Sequence, residues 1–326
     1  MDYHNNKIIN TYYDSFIQFK QNAVQEYSNR TLRILQFNIR GMNDPDKFDH
    51  VKEILTLYPN PIDVVALGET WIKKDRVQHY QIDGYKSVFS CRPDSRGGGL
   101  AVFVRDSIVF DTVCNTHSRG LHHINLRLHG MGASLQVHAV YKPPSYRTTE
   151  YLDKLESILA LQNREASCVI VGDVNIPYNQ LENGSVQEYI NQLKCYNFCV
   201  TNSFPTRPAT GNLLDHVVCS EDLQASLLNE TVHSDVSDHC MILSSFKLQR
   251  SITLRALEKM VVDHTKLNEA FAAEVRNMAQ GTPENNLKYV SELYQRLKKQ
   301  FSRKVVIRAK IKGYCPWMNL PLDIRS

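Results

Sequence analysis

Several apolar segments of the sequence end in polar side chains that can bind a metal ion or move a proton. The segment ILQFN ends at Asn38, VVALGE ends at Glu69, and CVIVGDVN ends at Asp173 and Asn175. A turn or a cap explains any one of these positions. Together, however, they place carboxylates and amides at the ends of several predicted core strands, where layered α/β proteins locate their sites.

Two further segments add an imidazole and more carboxylates. LLDHVV contains Asp215, and VHAVY ends at Tyr141. Asp238 and His239 stand directly before the apolar residues of HCMILSSF. A carboxylate can orient or deprotonate a water, and an imidazole paired with another carboxylate can donate a hydrogen bond to a phosphoryl oxygen. Carboxylate and amide oxygens suit Mg²⁺ or Mn²⁺, and the sequence lacks the Cys/His cluster typical of zinc. These groups match what hydrolysis of a phosphate ester requires.

The polar positions follow short, apolar and β-branched segments that predict buried strands. The predicted strands are TLRILQFN, PIDVVALGE, GGGLAVFVR, SLQVHAVY, SCVIVGDVN, LLDHVVCS and HCMILSSF. Helices are predicted between some of them: one begins at Asp44 and Pro45, one covers residues 151–161, and one opens with a capping box of Ser185 and Glu188. Strands with intermittent helices predict packed sheets flanked by helices.

Composition divides the sequence into three parts. We expect a polar, loosely attached N-terminal arm at residues 1–30 and the strands at residues 31–248. For residues 249–326 we expect a basic linker or extension formed only of helices. The net charge is +4, but eight Lys/Arg and no acid lie between Arg296 and Lys312, which leaves 4 − 8 = −4 for the remainder. Such a run is either a solvated helix face or a contact to a phosphate backbone.

The sequence excludes some classes of protein. It has no apolar run of the roughly 18 residues that cross a membrane, and its first residues lack a secretion signal pattern. We therefore expect an intracellular protein with no membrane partner. Its 8 cysteines contain no C-x-x-C pair and are predicted to be buried free thiols.

The motifs occur in the order that the endonuclease/exonuclease/phosphatase superfamily requires, and the chain resembles this family from about Leu32 to Phe246. The matching segments are QFNIRG, GET, VYKPP, GDVN, LLDHV and SDH, with Val174 where the family commonly has Phe. The resemblance implies an α/β fold of the DNase I type: a four-layer sandwich of two packed mixed β-sheets flanked by helices, here with a C-terminal helical extension.

The resemblance also implies roles for the residues of the site. Glu69 and Asn38 would hold Mg²⁺, with Mn²⁺ as an alternative, and Asp173 would orient or activate the attacking water. Asn175 and Tyr141 would position the phosphate.

The remaining roles concern the scissile phosphate and the substrate around it. His239 would contact a phosphoryl oxygen while Asp215 fixes its ring, and Asp238 would support a second metal ion or the water. The expected substrate contacts are Arg40, Lys142 and Thr206, the last in the motif SFPTR.

Finer features resemble the endonucleases of LINE-type, non-LTR retrotransposons. These are SRGGGLAVFVR, YKPP, SFPTR and the segment YCPWMN, which is similar to a linker leading into a reverse transcriptase. The resemblance implies a nuclease that nicks DNA to leave a 3′-hydroxyl primer, acts in the nucleus, and has a reverse transcriptase domain as a partner in a longer chain. Two alternatives stay open: a phosphatase or phosphodiesterase acting on a small phosphoester or lipid head group, and a domesticated, non-catalytic DNA-binding module.

Overall fold

The computed structural model describes residues 8–22, 31–91, 97–130, 135–160, 167–224, 227–248, 257–262, 264–276 and 283–307. These residues form two compact units, one with the described residues up to 248 and one with those from 257 onward. Among the described helices, none has the length and apolar character needed to span a membrane.

The first unit contains a mixed sheet of seven strands. Numbered in chain order, they lie across the sheet as β1 (Ile9–Tyr13), β12 (Leu227–Val232), β13 (Met241–Lys247), β2 (Thr31–Asn38), β3 (Val64–Gly68), β5 (Leu100–Arg105) and β4 (Tyr85–Ser90). The pairs β1/β12 and β2/β3 are parallel and the others are antiparallel.

A second mixed sheet of six strands packs against the first. Across this sheet lie β10 (Phe198–Val200), β11 (Asp215–Ser220), β9 (Ser167–Asp173), β8 (Leu135–Tyr141), β7 (Leu121–Leu128) and β6 (Phe110–Ser118). Only β8 and β9 are paired in parallel.

Helices cover the outer faces of both sheets. They are α1 (Phe16–Asn22) and α2 (Pro45–Leu57) on the first sheet, and α3 (Thr148–Ala160) and α4 (Gly184–Cys195) on the second, with a single turn, α5 (Glu221–Gln224), after β11. The core between the sheets is built from alternate strand residues such as Ile34, Val102 and Val137, because successive side chains of a strand point to opposite faces. The predicted four-layer sandwich is confirmed.

The helix starts differ in how well local sequence predicts them. Asp44 caps α2 by accepting a hydrogen bond from the amide of Asp46, with Pro45 in the first turn, as predicted. The predicted capping box at Ser185 is wrong. Asn183 is the cap of α4, and its side-chain oxygen accepts from the amide of Ser185 at 3.0 Å, so Ser185 already lies within the first turn.

The expectation of a loosely attached arm is wrong for residues 8–22. Strand β1 pairs in parallel with β12 at the edge of the first sheet, and α1 follows it. Tyr13 and Phe19 are buried, and the ring of Phe19 stacks on that of Tyr58 with centroids 5.0 Å apart. Two buried aromatic rings anchor a segment that is otherwise polar, so average composition conceals the attachment.

The second unit contains the helices α6 (His264–Arg276) and α7 (Pro283–Gln300), which pack through Leu267, Leu293 and Leu297. The expectation of helices alone is wrong, because β14 (Leu257–Val262) and β15 (Ser302–Ile307) form an antiparallel pair. The two strands are separated in sequence by both helices, so local spacing could not report their pairing.

All described cysteines are free thiols, as expected. Cys168, Cys219 and Cys240 are buried, whereas Cys195 is exposed at the end of α4.

Gly172 in β9 tests whether the close approach of β8 and β9 is essential. Its φ is +144°, and a Cβ there would lie 1.8 Å from the carbonyl oxygen of Val140. We expect Gly172→Ala to lower the free energy of unfolding by about 3 kcal/mol or more, because backbone rather than a flexible side chain must move. Urea denaturation followed by circular dichroism measures this loss.

Gly184→Ala is the matched control, because Gly184 begins α4 and an added Cβ has no atom within 4 Å. This variant should be unchanged or more stable by roughly 0.5–1 kcal/mol. Equal stability of the two variants would contradict the close approach of the two strands at Gly172.

Candidate active site

Polar side chains replace the apolar core at one end of the sandwich. On β2 the residues that face the second sheet are Leu32 and Ile34, and the next two at the same spacing are Gln36 and Asn38, all four buried. Strand β9 follows the same alternation and ends at Asp173. The strands thus carry their polar ends into one buried region between the two sheets.

Two carboxylates face each other in this region. Asp173 and Asp215 are paired in register on the antiparallel strands β9 and β11, and both are buried. Burial and the neighbouring charge of Asp215 raise the pKa of Asp173 above its ordinary value. The Asp173 carboxylate accepts hydrogen bonds from the side chain of Asn38 at 2.8 Å and the amide of Asn175 at 2.9 Å.

Asp215 forms an ion pair with His239. Nδ1 of His239 lies 2.6 Å from Oδ2 of Asp215, and Gln36 donates to the other carboxylate oxygen at 2.9 Å. Burial lowers the pKa of His239, but the attraction of Asp215 outweighs it and raises the pKa to about 9. Burial likewise raises the pKa of Asp215, but the contact with His239 outweighs it and holds the pKa below its ordinary value. The pair is therefore an imidazolium and a carboxylate at neutral pH.

Thr206 was expected to contact substrate, and this is wrong. Its side chain is fully buried, and its hydroxyl oxygen accepts from the amides of Leu214 and Asp215 at 3.0 Å each. The backbone is held as well, because the amide of Cys240 donates to the carbonyl of Thr206 at 2.7 Å. Thr206 therefore fixes the start of β11 and the position of Asp215.

Glu69 and Asn38 lie side by side at the ends of β3 and β2. The Asn38 amide nitrogen donates to Glu69 at 3.1 Å as well as to Asp173, and the indole of Trp71 donates to the second oxygen of Glu69 at 3.2 Å. Glu69 has a φ of +50°, a conformation that costs a non-glycine residue energy and clusters at functional sites.

This arrangement fits a hard divalent cation. Two carboxylates, Glu69 and Asp173, are bridged by the single neutral amide of Asn38. The side-chain oxygen Oδ1 of Asn38 accepts only from the backbone amide of Arg40, at 3.2 Å, among the described contacts, and it has a second lone pair. Mg²⁺ prefers such oxygen ligands and offsets the repulsion between two carboxylates.

A second group of possible metal ligands includes two side chains that bind each other. Ligand atoms of Asp173, Asp215 and His239 lie within 4.8 Å of one another. However, two ligands of one ion, each about 2.1 Å from it, lie roughly 3 Å apart. The distance of 2.6 Å between Nδ1 of His239 and Oδ2 of Asp215 is shorter than this separation and is typical of a charge-assisted hydrogen bond.

Asp238 lies beside the site and is bound by two arginines, and its expected role at a second metal ion or the water stays a prediction. Its Oδ2 accepts from the guanidinium groups of Arg40 at 2.5 Å and Arg207 at 3.1 Å. Both cations contact the same oxygen of this carboxylate. Arg40, an expected substrate contact, is half exposed beside the site.

Three more predicted residues, Tyr141, Lys142 and Asn175, lie around the end of β8. The amide of Lys142 donates to the carbonyl of Asp173 at 2.9 Å, and the side chain of Asn175 donates to the carbonyl of Lys142 at 2.8 Å. Lys142 is buried, as Asp173 and Asn38 are, and its expected contact with substrate stays a prediction. Burial lowers the pKa of Lys142 and nearby Asp173 partly restores it. Tyr141 ends β8 and is also buried, with its ring centroid 6.2 Å from that of His122.

Sequence reasoning missed several residues that position the site. Ser237 donates to the carbonyl of Asn38 at 2.7 Å and accepts from the amide of His239 at 3.3 Å, so it joins the end of β2 to the imidazolium. Gln36 could have been found, because it shares the inward spacing of Asn38 on β2. For Trp71 and Arg207 the sequence offers no local signal.

The ion pair predicts a titration. In Asp215→Asn the largest attraction that raises the pKa of His239 is lost, while burial still lowers it. We expect that pKa to fall by about 1–3 units, measured by NMR titration of the ring. An unchanged pKa would contradict the pairing. The exposed pair of His129 and Asp111, 2.7 Å apart, is the control: Asp111→Asn should leave the His239 pKa unchanged.

Solved structures with the same fold include three nucleases of low sequence identity. The endonuclease domain of TRAS1, a telomere-specific non-LTR retrotransposon, matches with a TM-score of 0.53 at 14% identity, over 68% of this chain and 100% of that one. The 3′-5′ exonuclease NExo from Neisseria meningitidis matches with a TM-score of 0.53 at 19% identity, over 66% and 100%. The AP endonuclease LMAP from Leishmania major matches with a TM-score of 0.52 at 14% identity, over 72% and 96%.

At these identities the structural matches establish a common fold and nothing finer. No curated protein matches the sequence significantly. The family model described as "Endonuclease/Exonuclease/phosphatase family" matches residues 35–239, which include β3 to β12 and all the predicted site residues. The chain therefore belongs to the endonuclease/exonuclease/phosphatase family, whose members are phosphodiester hydrolases and nucleases that generally use divalent metal ions.

Proposed function

We propose that this protein is a Mg²⁺-dependent DNA endonuclease of the non-LTR retrotransposon type, which nicks DNA and leaves a 3′-hydroxyl. The observation that carries the proposal is the juxtaposition of a carboxylate with a raised pKa, Asp173, and an imidazolium, His239, beside the Asn38 and Glu69 pair. A base, an acid and a set of metal ligands are what phosphodiester hydrolysis by water requires.

Asp173 orients the attacking water and accepts its proton. Burial beside Asp215 raises the pKa of Asp173 to about 8, and a base works best when its pKa lies near the working pH. The side-chain amide of Asn38 and the backbone amide of Asn175 each donate to one oxygen of Asp173 and hold the carboxylate in place.

His239 donates a hydrogen bond to a phosphoryl oxygen. Its Nδ1 is bound by Asp215, so Nε2 is the ring nitrogen that remains for substrate. Because the pKa of His239 is raised to about 9, both nitrogens carry protons at neutral pH. A cationic donor held in place by protein groups stabilises the charge that develops on the pentacoordinate phosphorus.

Glu69 and Asn38 are the residues that would hold Mg²⁺, with Mn²⁺ as an alternative. When bound there, the ion supplies positive charge to the phosphoryl oxygens and so lowers the barrier to attack. Trp71 holds the Glu69 carboxylate in position through its indole N–H.

The choice of DNA as substrate has three supports. The motifs SRGGGLAVFVR, YKPP and SFPTR resemble those of LINE-type endonucleases, and the segment between Arg296 and Lys312 is rich in Lys and Arg. Proteins of similar fold include a retrotransposon endonuclease domain and an AP endonuclease. We further propose a reverse transcriptase domain as partner in a longer chain, and action in the nucleus where the target DNA lies.

Nicking of supercoiled plasmid tests the catalytic assignment. We expect Asp173→Asn and His239→Gln each to lower the single-turnover nicking rate by at least about 10²–10³-fold, because each removes a proton-transfer or charge-stabilising group. Extension by a DNA polymerase would identify the 3′-hydroxyl.

His129→Gln is the matched control, since His129 forms an exposed pair with Asp111. It should nick at the wild-type rate. Undiminished nicking by the Asp173 or His239 variant would refute the site, and release of phosphate from small esters with no action on DNA would refute the substrate.

Dependence on the metal ion tests the ligand assignment. EDTA should abolish nicking and Mg²⁺ should restore it. In Glu69→Gln, half-maximal nicking should need at least about tenfold more Mg²⁺, because a charged ligand is lost. Glu53→Gln on the exposed face of α2 is the control and should need no more than wild type. Equal Mg²⁺ requirements for all three proteins would exclude Glu69 as a ligand.

A further inference from the structure

Three charged side chains form a cluster directly beside the catalytic residues. Oδ2 of Asp238 accepts from Nη1 of Arg40 at 2.5 Å and from Nη2 of Arg207 at 3.1 Å. Asp238 directly precedes His239, Arg40 lies two residues after Asn38, and Arg207 directly follows Thr206. The cluster therefore joins three segments that each carry a residue of the site.

The cluster has an excess of positive charge at an accessible position. Two guanidinium groups share one carboxylate, so its net charge is +2 − 1 = +1. The side chains of Arg40 and Arg207 are 49% and 36% exposed. The adjoining buried region holds the carboxylates Glu69 and Asp173, so the charge changes sign between the interior of the site and this edge.

The cluster also has unused hydrogen-bonding capacity. Both guanidinium groups donate to the same oxygen, while Oδ1 of Asp238 and Nε of Arg207 are buried and make no hydrogen bond within the described part of the chain. A buried polar atom without a partner costs about 1–3 kcal/mol and calls for a specific explanation. Guanidinium groups suit an oxyanion that matches their fork geometry, such as a phosphate.

The backbone around both arginines is fixed. Arg40 has a φ of +50°, and its amide donates to the side chain of Asn38 at 3.2 Å. Lys47 donates to the carbonyls of Ile39 at 3.1 Å and Arg40 at 2.9 Å. Arg207 pairs with Asn212 in an isolated bridge. These contacts hold Arg40 in a backbone conformation that costs a non-glycine residue energy, as at Glu69.

We propose that Arg40 and Arg207 form a clamp for a DNA backbone phosphate adjoining the scissile one, and that Asp238 is a positioning residue that aligns both guanidinium groups instead of a metal ligand. The clamp rests on the proposed function, since it requires a nucleic acid substrate. It assigns to two arginines the positive charge that a second metal ion would otherwise supply on this side of the site.

Salt dependence of DNA binding tests the clamp without relying on catalysis. Binding of a fluorescent DNA duplex is measured by anisotropy in EDTA at a series of salt concentrations. The slope of log K against log[salt] reports the number of phosphates contacted, and it should decrease in magnitude by about one in Arg40→Gln and in Arg207→Gln. The double variant should show the same decrease as each single one, because both residues contact one phosphate.

Two further variants serve as controls for charge and geometry. Arg127→Gln removes an exposed arginine from the opposite end of β7 and should leave the slope unchanged. Arg207→Lys keeps the charge but not the fork, so it should retain the slope while weakening binding several-fold. A slope in Arg40→Gln and Arg207→Gln equal to that of wild type overturns the clamp.

Asp238→Asn separates positioning from metal binding. A positioning role predicts slower nicking and a Mg²⁺ requirement within about twofold of wild type. A tenfold higher Mg²⁺ requirement, the effect expected of a lost ligand, overturns the assignment. Nicking by this variant at the wild-type rate also overturns it.

The clamp and the proposed function fail in different ways. If wild-type protein nicks plasmid and the arginine variants keep the wild-type slope, the clamp alone is excluded. The clamp alone is also excluded if wild-type protein nicks plasmid but does not bind DNA in EDTA. Wild-type protein that neither nicks nor binds DNA excludes both.

Discussion

The site depends on the burial of two carboxylates on neighbouring strands. Asp173 and Asp215 stand opposite each other in the pairing of β9 with β11, at the end of an apolar core where neither charge is solvated. Two like charges cannot both remain ionised there without compensation. The imidazolium of His239 compensates Asp215, and the neighbouring polar contacts follow from the need to hold that pair in place.

One ion pair therefore gives two carboxylates different chemistry. Asp215 is bound to His239 and accepts from Gln36, so it stays ionised, while Asp173 receives only neutral donors and its pKa is raised. Environments that push the pKa values of neighbouring acids apart are the usual way in which a fold separates a base from a structural charge. Ser237 couples this pair to Asn38, which connects the acid side of the site to the predicted metal ligands.

The sequence predicts the fold and most of the site because both follow from alternation along strands. Asn38, Asp173 and Asp215 end or begin apolar strands, and their position in the strand places them between the sheets. Which polar residues face substrate depends instead on contacts between distant segments. Thr206 and Lys142 are buried by such contacts, and Asp238 is drawn to Arg207, thirty-one positions earlier in the chain. Residues 9–13 pair with a strand more than two hundred positions away, which composition cannot report.

The most direct test of the account is the fate of labelled oxygen during cleavage of DNA in H₂¹⁸O. If Asp173 activates water for attack on phosphorus while the 3′ oxygen leaves, one ¹⁸O enters the new 5′-phosphate, and the 3′ end is an unlabelled hydroxyl. Mass spectrometry of a cleaved oligonucleotide distinguishes the two ends. A 3′-phosphate product, or a 5′-phosphate without label, would contradict the central claim that this buried group of acids and an imidazolium directs attack of water on phosphorus with the 3′ oxygen as the leaving group.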